Sequence, residues 1–203
     1  MGIKVLHATD LHHNRQACSW LTENQRLADI VCLTGDFLDT RDDATASLAE
    51  QVAYFLRWFQ SFSVPLLVCS GNHDVLFEQG EWLKMDKFNG FYGDGSKVIL
   101  NGIHFGCVPF YATPDDFAEC QVLLHHEPPS GSKTAVQNGV DFGSRALQIA
   151  LKNQSLTARY ILCGHVHNPV KRAVRKGGCT VVNAGGIHSD RQPSYAVVDL
   201  QLP

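Results

Sequence analysis

DIVCLTGDFLD, residues 29–39, decides how this chain folds. Its first half, Ile30 to Thr34, is short and almost continuously apolar, as suits a strand buried on both faces. Gly35 then turns the chain, and aspartates follow at positions 36 and 39. In open α/β sheets ligands collect outside the carboxyl ends of the strands, so a strand running straight into Gly-Asp is a candidate site element. The same aspartate could simply open a helix as its N-cap. The other strands decide between the two readings.

They end in the same way. IKVLHAT (3–9) runs into Asp10-Leu11-His12, and VPLLVCSG (64–71) into Asn72-His73-Asp74. CQVLLHH (120–126) ends in two histidines, and RYILCG (159–164) is followed by His165-Val166-His167. CTVVNAG (179–185) is a further strand. Between the second and third strands, Leu48, Val52, Phe55, Leu56 and Phe59 share one helical face within residues 44–62. Segments 15–29 and 143–154 carry weaker helical patterns. Residues 96–110 form a hairpin about Asn101-Gly102, a type I′ pair, and residues 170–186 form another about Gly177-Gly178. The pattern is α/β with antiparallel additions, sheets flanked by helices.

The polar strand ends are Asp, His and Asn, with no cysteine among them. Such donors suit Mn, Fe, Zn or Mg rather than Cu(I) or an iron–sulfur cluster. The seven cysteines form no CxxC pair and sit in apolar runs, as reduced buried thiols do. A formal charge of −3 offers no basic field for nucleic acid or acidic membranes. No apolar run reaches the roughly 18–20 residues of a membrane span, and the N-terminal stretch has no signal-peptide core, so a soluble cytoplasmic protein is expected.

Any one of these motifs alone is weak. Together, in this order and each behind an apolar strand, they resemble the calcineurin-like metallophosphoesterase family. Its signature is Asp-x-His, Gly-Asp-x-x-Asp, Gly-Asn-His-Asp/Glu, His, Gly-His-x-His, and all five blocks lie between residues 10 and 167. The resemblance implies a four-layer α-β-β-α sandwich of two mixed sheets, with a two-metal site at one edge. Residues 1–203 would be a single catalytic domain without a cap domain. Site 1 would be Asp10, His12, Asp36 and His167; site 2 would be Asp36, Asn72, one histidine of the 125/126 pair, and His165. Asp36 would bridge. His73 would be the catalytic histidine outside the ligand set, oriented by Asp39. Asn183-Ala184-Gly185 stands where the family often has Asn-Pro-Gly, which implies backbone support of the site.

The spacing of the other ligands bears on the histidine pair. A residue separates each ligand from the last apolar residue, which puts His125 in the spacer place and His126 in the ligand place. The family's frequent His-x-Pro pattern agrees, since His126-Glu127-Pro128 fits it.

Two divalent ions, with Mn²⁺ favoured and Fe, Zn or Mg as alternatives, are thus expected. Against two carboxylates they leave about +2, which draws phosphate to an acidic chain. The expected reaction is in-line attack of a metal-bridging hydroxide on a small phosphodiester, phosphomonoester or nucleotide, with His73 protonating the leaving alkoxide. His188 and Arg191 are the candidate substrate contacts, while Arg15 and Arg41 read as solvated. The basic cluster Lys171, Arg172, Arg175 and Lys176 keeps a nuclease acting on DNA or RNA ends as an alternative, though no aromatic stack accompanies it. The alternative of another class is a non-catalytic scaffold with the same fold. Neither a membrane partner nor an oligomeric state is indicated.

Overall fold

The computed structural model describes residues 2–84, 88–176, 178–186 and 192–201. Among these residues thirteen strands and three α-helices make up the regular structure, joined by short 3₁₀ turns.

One sheet holds five strands: β1 (Ile3–Ala8), β2 (Ile30–Thr34), β3 (Leu66–Cys69), β4 (Phe91–Tyr92) and β13 (Tyr195–Leu200). Their order is β13-β1-β2-β3-β4, with β13 antiparallel to β1 and the rest parallel. The second sheet holds β5 (Lys97–Leu100), β6 (Ile103–Cys107), β7 (Val122–Leu124), β10 (Tyr160–Cys163), β11 (Ala173–Lys176) and β12 (Cys179–Asn183). Here the order is β11-β12-β10-β7-β6-β5, parallel in the middle and closed at each edge by an antiparallel hairpin. A separate ribbon, β8 (Val136–Gln137) with β9 (Val140–Asp141), lies outside both.

Strand alternation builds the layers. Val5, Ile30, Cys32, Leu67 and Cys69 of the first sheet pack against Phe105, Cys107, Val122, Leu124 and Leu162 of the second. The opposite face of the first sheet, Leu6, Ala8, Val31, Leu33 and Val68, is covered by α1 (Arg15–Asn24) and α2 (Leu48–Phe59). The outer face of the second, Leu123, Ile161 and Val181, packs on α3 (Arg145–Asn153). The result is the four-layer α-β-β-α sandwich of two mixed sheets. All seven cysteines are buried free thiols within these layers.

The helices start where side chains satisfy their first N–H groups. Ser47 and Glu50 form a reciprocal capping box on α2, Asn14 Oδ1 accepts from Ala17 N at 2.9 Å on α1, and Ser144 caps α3. The helical pattern from residue 15 stops at Asn24, short of 29. Gln25 turns its buried side chain away to Ser63, whose N–H donates to Gln25 Oε1 at 2.6 Å, and the chain enters a 3₁₀ turn. Asn101 (φ 50°) and Gly102 (φ 80°) form the expected type I′ turn between β5 and β6. No helix among the described residues is long and apolar enough to cross a membrane.

β1, β2 and β3 of the first sheet, and β7 and β10 of the second, all deliver their carboxyl ends to one edge of the sandwich. Backbone bonds between the following loops hold that edge: Asp10 N donates to Gly35 O at 3.0 Å, His12 N to Asp36 O at 3.0 Å, and Gly164 N to His126 O at 2.8 Å.

Candidate metal centre

The loops at this edge are bent tightly enough that Asp10 (φ 53°), His12 (φ 42°), Asp36 (φ 54°) and His165 (φ 65°) all adopt the left-handed region. Asp and His tolerate it better than most residues, and such conformations concentrate at functional sites. Gly35 shows how close the packing is. A Cβ there would stand 2.5 Å from Gly71 N and 2.7 Å from His126 Nδ1, so any side chain would displace both the neighbouring loop and an imidazole.

Asp10 and Asp36 are built on one plan. Oδ2 of Asp10 accepts from Thr9 Oγ1 (2.7 Å) and His165 N (3.0 Å), which leaves Oδ1 turned to His167 Nε2 at 3.2 Å and His12 Nε2 at 4.0 Å. Oδ1 of Asp36 accepts from His73 N (2.9 Å), which leaves Oδ2 turned to His126 Nε2 at 3.3 Å and His73 Nε2 at 3.7 Å. In each case a backbone N–H, joined at Asp10 by the Thr9 hydroxyl, fixes one oxygen and presents the other.

The imidazoles are oriented by the same means. His126 Nδ1 donates to Thr34 O at 2.6 Å, and His12 Nδ1 donates to Leu38 O at 3.2 Å. A proton held on Nδ1 leaves the Nε2 lone pair for a ligand, the usual outer-shell arrangement of metal-binding histidine. Asn72 Oδ1 lies 3.1 Å from His126 Nε2 and 2.9 Å from His165 Nδ1. Three donor groups result: Asp10, His12 and His167; His12, Asp36 and His73; Asp36, His126 and His165. His12 joins the first group to the second, and Asp36 joins the second to the third.

The electrostatics demand a cation here. Asp10 and Asp36 are 0% and 2% exposed, and among the described residues their ion-pair partners are histidines, never lysine or arginine. Among the described residues the buried Asp10 Oδ1 has no hydrogen-bond partner. Two buried carboxylates at such close quarters need compensating positive charge. Burial pushes His126 towards neutrality, yet the charge and hydrogen bond of Asp36 more than reverse this and raise its pKa to about 10. A proton on His126 thus occupies the place that a metal's charge would take. Burial also acts against the Asp36 carboxylate, but His126 and His73 beside it hold its pKa well below the usual range. The donor set fits divalent metal: hard or borderline N and O donors, lone pairs converging, outer-shell partners in place.

His125 points elsewhere. Its Nδ1 donates to Glu127 O at 2.8 Å, and burial lowers its pKa to about 4. It enters none of the three donor groups, whereas His126 does.

Asp39, expected beside His73, is engaged elsewhere. Arg41 closes on its carboxylate with two bonds, Nε to Oδ1 at 2.9 Å and Nη2 to Oδ2 at 2.7 Å, and this pairing lowers the Asp39 pKa. Gln51 of α2 fixes the Asp39 backbone on both sides, accepting from its N–H at 2.7 Å and donating to its carbonyl at 2.9 Å. The partner of His73 Nδ1 is the next residue, Thr40, whose Oγ1 lies 2.5 Å away. His188 and Arg191 lie outside the described residues.

Two further side chains hold the loops in place. Asp74, to which sequence reasoning gave no role, is fully buried, and its carboxylate accepts from four backbone N–H groups: Asp36 (2.8 Å), Phe37 (2.9 Å), Leu38 (3.1 Å) and Gly71 (2.8 Å). It ties the loop after β2 to the loop after β3. Burial and the Asp36 charge push its pKa up to about 8, against the pull of those donors. Asn183, also fully buried, supports the site through its side chain. Its amide stands 3.0 Å from both Gly164 O and Val166 O and so braces the loop that carries His165 and His167.

The comparisons agree with this fold. The crystal structure of TT1561 of Thermus thermophilus superposes with a TM-score of 0.68 at 13% identity, covering 98% of this chain and 95% of that one. Purple acid phosphatase PPD1 from yellow lupin (Lupinus luteus) seeds gives 0.54 at 13% identity, covering 100% of this chain and 46% of that one. At such identities the likeness is one of fold. A comparison with curated protein sequences finds no match. Residues 3–169 match the family described as calcineurin-like phosphoesterase, five-sixths of the chain's length, with every residue of the three donor groups inside the match. The chain belongs to the calcineurin-like phosphoesterase family.

Proposed function

We propose that this protein is a metal-dependent hydrolase of small phosphate esters. The observation that carries the reading is the pairing of Asp10 and Asp36, each with one oxygen fixed by a backbone N–H and the other turned to imidazole nitrogens, among them those of His12 and His126, whose Nδ1 atoms donate to backbone carbonyls. Asp10, His12, Asp36 and His167 would hold one divalent ion; Asp36, Asn72, His126 and His165 would hold the second. We favour manganese. When bound, such ions supply positive charge for the phosphoryl oxygens and a source of nucleophile at neutral pH.

The chain itself does the rest. His73 presents Nε2 to the site, 3.7 Å from Asp36 Oδ2, and is held from behind through Nδ1. That is the place of a group that hands a proton to the leaving oxygen. Asp74 fixes the two loops that carry Asp36 and His73, so the reacting groups need no rearrangement during the phosphoryl step. All the proposed ligands come from loops of the two sheets, and we read residues 1–203 as one catalytic domain.

A small substrate is favoured over a nucleic acid by the basic cluster. Arg172 donates to Ala184 O and Tyr195 O, and Lys176 Nζ donates to Ser130 O at 2.9 Å. Half of the cluster thus serves the backbone. The test is a Mn²⁺-loaded activity panel of a chromogenic monoester, a chromogenic diester, cyclic nucleotides and a short oligonucleotide. Turnover of a small ester is expected. Silence across the panel with metal bound would defeat the enzyme reading, and salt-sensitive release of nucleotides from the oligomer alone would favour the nuclease.

A further inference from the structure

The ribbon of β8 and β9 stands beside the metal centre without belonging to either sheet. Asn138 (φ 52°) and Gly139 (φ 79°) turn it, the same type I′ pair that joins β5 to β6. Its bonds fasten it to the segment that follows His167. Val170 N donates to Val136 O at 2.9 Å, and Asn168 N donates to Gln137 Oε1 at 2.7 Å. At its base the Asp141 carboxylate accepts from Ser130 Oγ (2.9 Å), Gly131 N (2.7 Å) and Gly143 N (2.9 Å). The ribbon is therefore a fixed wall.

Between this wall and the centre lies a pocket of about 290 Å³, lined by Gln137, Phe142, His165, Val166 and His167. Two of its five residues are proposed metal ligands, so whatever fills it is continuous with the reacting phosphate. Its other surfaces are of another kind. Phe142 is 45% exposed, an aromatic ring in solvent at the rim of a polar site. Gln137 spends its carbonyl oxygen on Asn168, so the group it keeps for the pocket is the N–H₂ donor.

We propose that this pocket is the subsite for the part of the ester that does not react, and that it takes a planar aromatic ring, a nucleobase in its biological form. The ring stacks on Phe142, and Gln137 donates to one of its acceptor atoms. A single ring system fills a space of this size, whereas a run of nucleotides does not. A sugar or an alkyl chain offers no π-face to Phe142. Stacking of a base on one aromatic side chain is worth about tenfold or more in affinity. This inference rests on the phosphoester reading of the adjoining centre.

Calorimetric binding to the Mn²⁺-loaded chain tests it, with adenosine 5′-monophosphate, phenyl phosphate and ribose 5-phosphate as probes. The nucleotide should bind about tenfold more tightly than the base-free sugar phosphate. Phe142→Ala should bring that ratio to about one and Phe142→Tyr should retain it, with circular dichroism to show that both variants fold. Equal affinities in the native chain, or a preference that Phe142→Ala leaves intact, would overturn the subsite. Phenyl phosphate binding as well as the nucleotide would support the stack and overturn the Gln137 bond. If none of the phosphates binds, the phosphoester reading fails and takes the subsite with it; if all bind alike, only the subsite fails.

Discussion

Thr40 Oγ1 lies 2.5 Å from His73 Nδ1, while the other ring nitrogen, Nε2, faces Asp36 Oδ2 at 3.7 Å. A carboxylate in the place of Thr40 could only accept a hydrogen bond, and would hold the proton on Nδ1. A hydroxyl can also donate. By donating to Nδ1 it leaves the proton of a neutral imidazole on Nε2, the nitrogen that faces the reacting groups.

Thr40→Val should therefore lower kcat by about tenfold or more, a part of the roughly 10²–10⁴ that a positioned proton donor contributes. KM and metal content should hold, and Thr40→Ser should restore the rate. Asp39→Asn breaks a pair with Arg41 that does not touch His73, so it should cost less. Steady-state kinetics on the three variants decides the matter; a larger loss for Asp39→Asn would return the orienting role to Asp39.

Asp74→Asn should weaken the fold itself. The amide has one acceptor oxygen where the carboxylate has two, so its N–H₂ group must face backbone N–H donors in a fully buried place. Leaving such groups unpaired costs about 3 kcal/mol, which for a chain of this size lowers Tm by about 6–12 °C. Thermal melts followed by circular dichroism measure it, run above pH 8, where Asp74 is ionised. An unchanged Tm would contradict the tie.

His125 gives the fold a sensitivity to acid. Burial lowers its pKa from 6.5 to about 4, so between these values the unfolded chain binds the proton and the folded chain does not. Stability from this residue is therefore present above pH 6.5 and is lost as pH falls towards about 4. At about 1.4 kcal/mol per pH unit, the advantage of the native chain over His125→Gln should shrink by about 2 kcal/mol between pH 7 and pH 5. Urea titrations of both proteins, free of metal, give the difference. A constant difference across this range would show that His125 does not titrate on unfolding.

Metal should raise Tm, and the gain should grow with pH. Binding to the folded chain alone, at a concentration a hundredfold above Kd, adds about 2.7 kcal/mol, or about 5–11 °C. His126, its pKa raised to about 10 in the metal-free site, must release its proton to bind. Melting curves with Mn²⁺ and with chelator at pH 6 and pH 8 should show the larger separation at pH 8. A separation independent of pH would place His126 outside the ligand set.

The layers of the fold were legible in the sequence because buried parallel strands such as IVCLT and YILC are short apolar runs closed by Gly. β13 was not, since its edge position leaves Tyr195, Ala196 and Val197 partly open and dilutes the apolar signal. The β8–β9 ribbon is not legible either, although Asn138-Gly139 carries the same turn signal as Asn101-Gly102. Only two residues on each side pair, too few for an alternating pattern. In the site, the order of the Asp, His and Asn blocks was visible because each follows a strand end. The partner of His73 was not. Thr40 and Asp39 are adjacent, and only the closure of Arg41 on Asp39 selects between them.

The central claim is that the groups gathered around Asp10 and Asp36 hold divalent ions and use them on phosphate esters. Manganese titration of the metal-free chain, with bound metal and hydrolysis of a chromogenic phosphate ester followed together, tests it most directly. The account predicts two ions per chain, turnover that rises as they bind, and loss of about one ion in His126→Ala but not in His125→Ala. Fewer than one ion per chain, or turnover that persists in excess chelator, would contradict it.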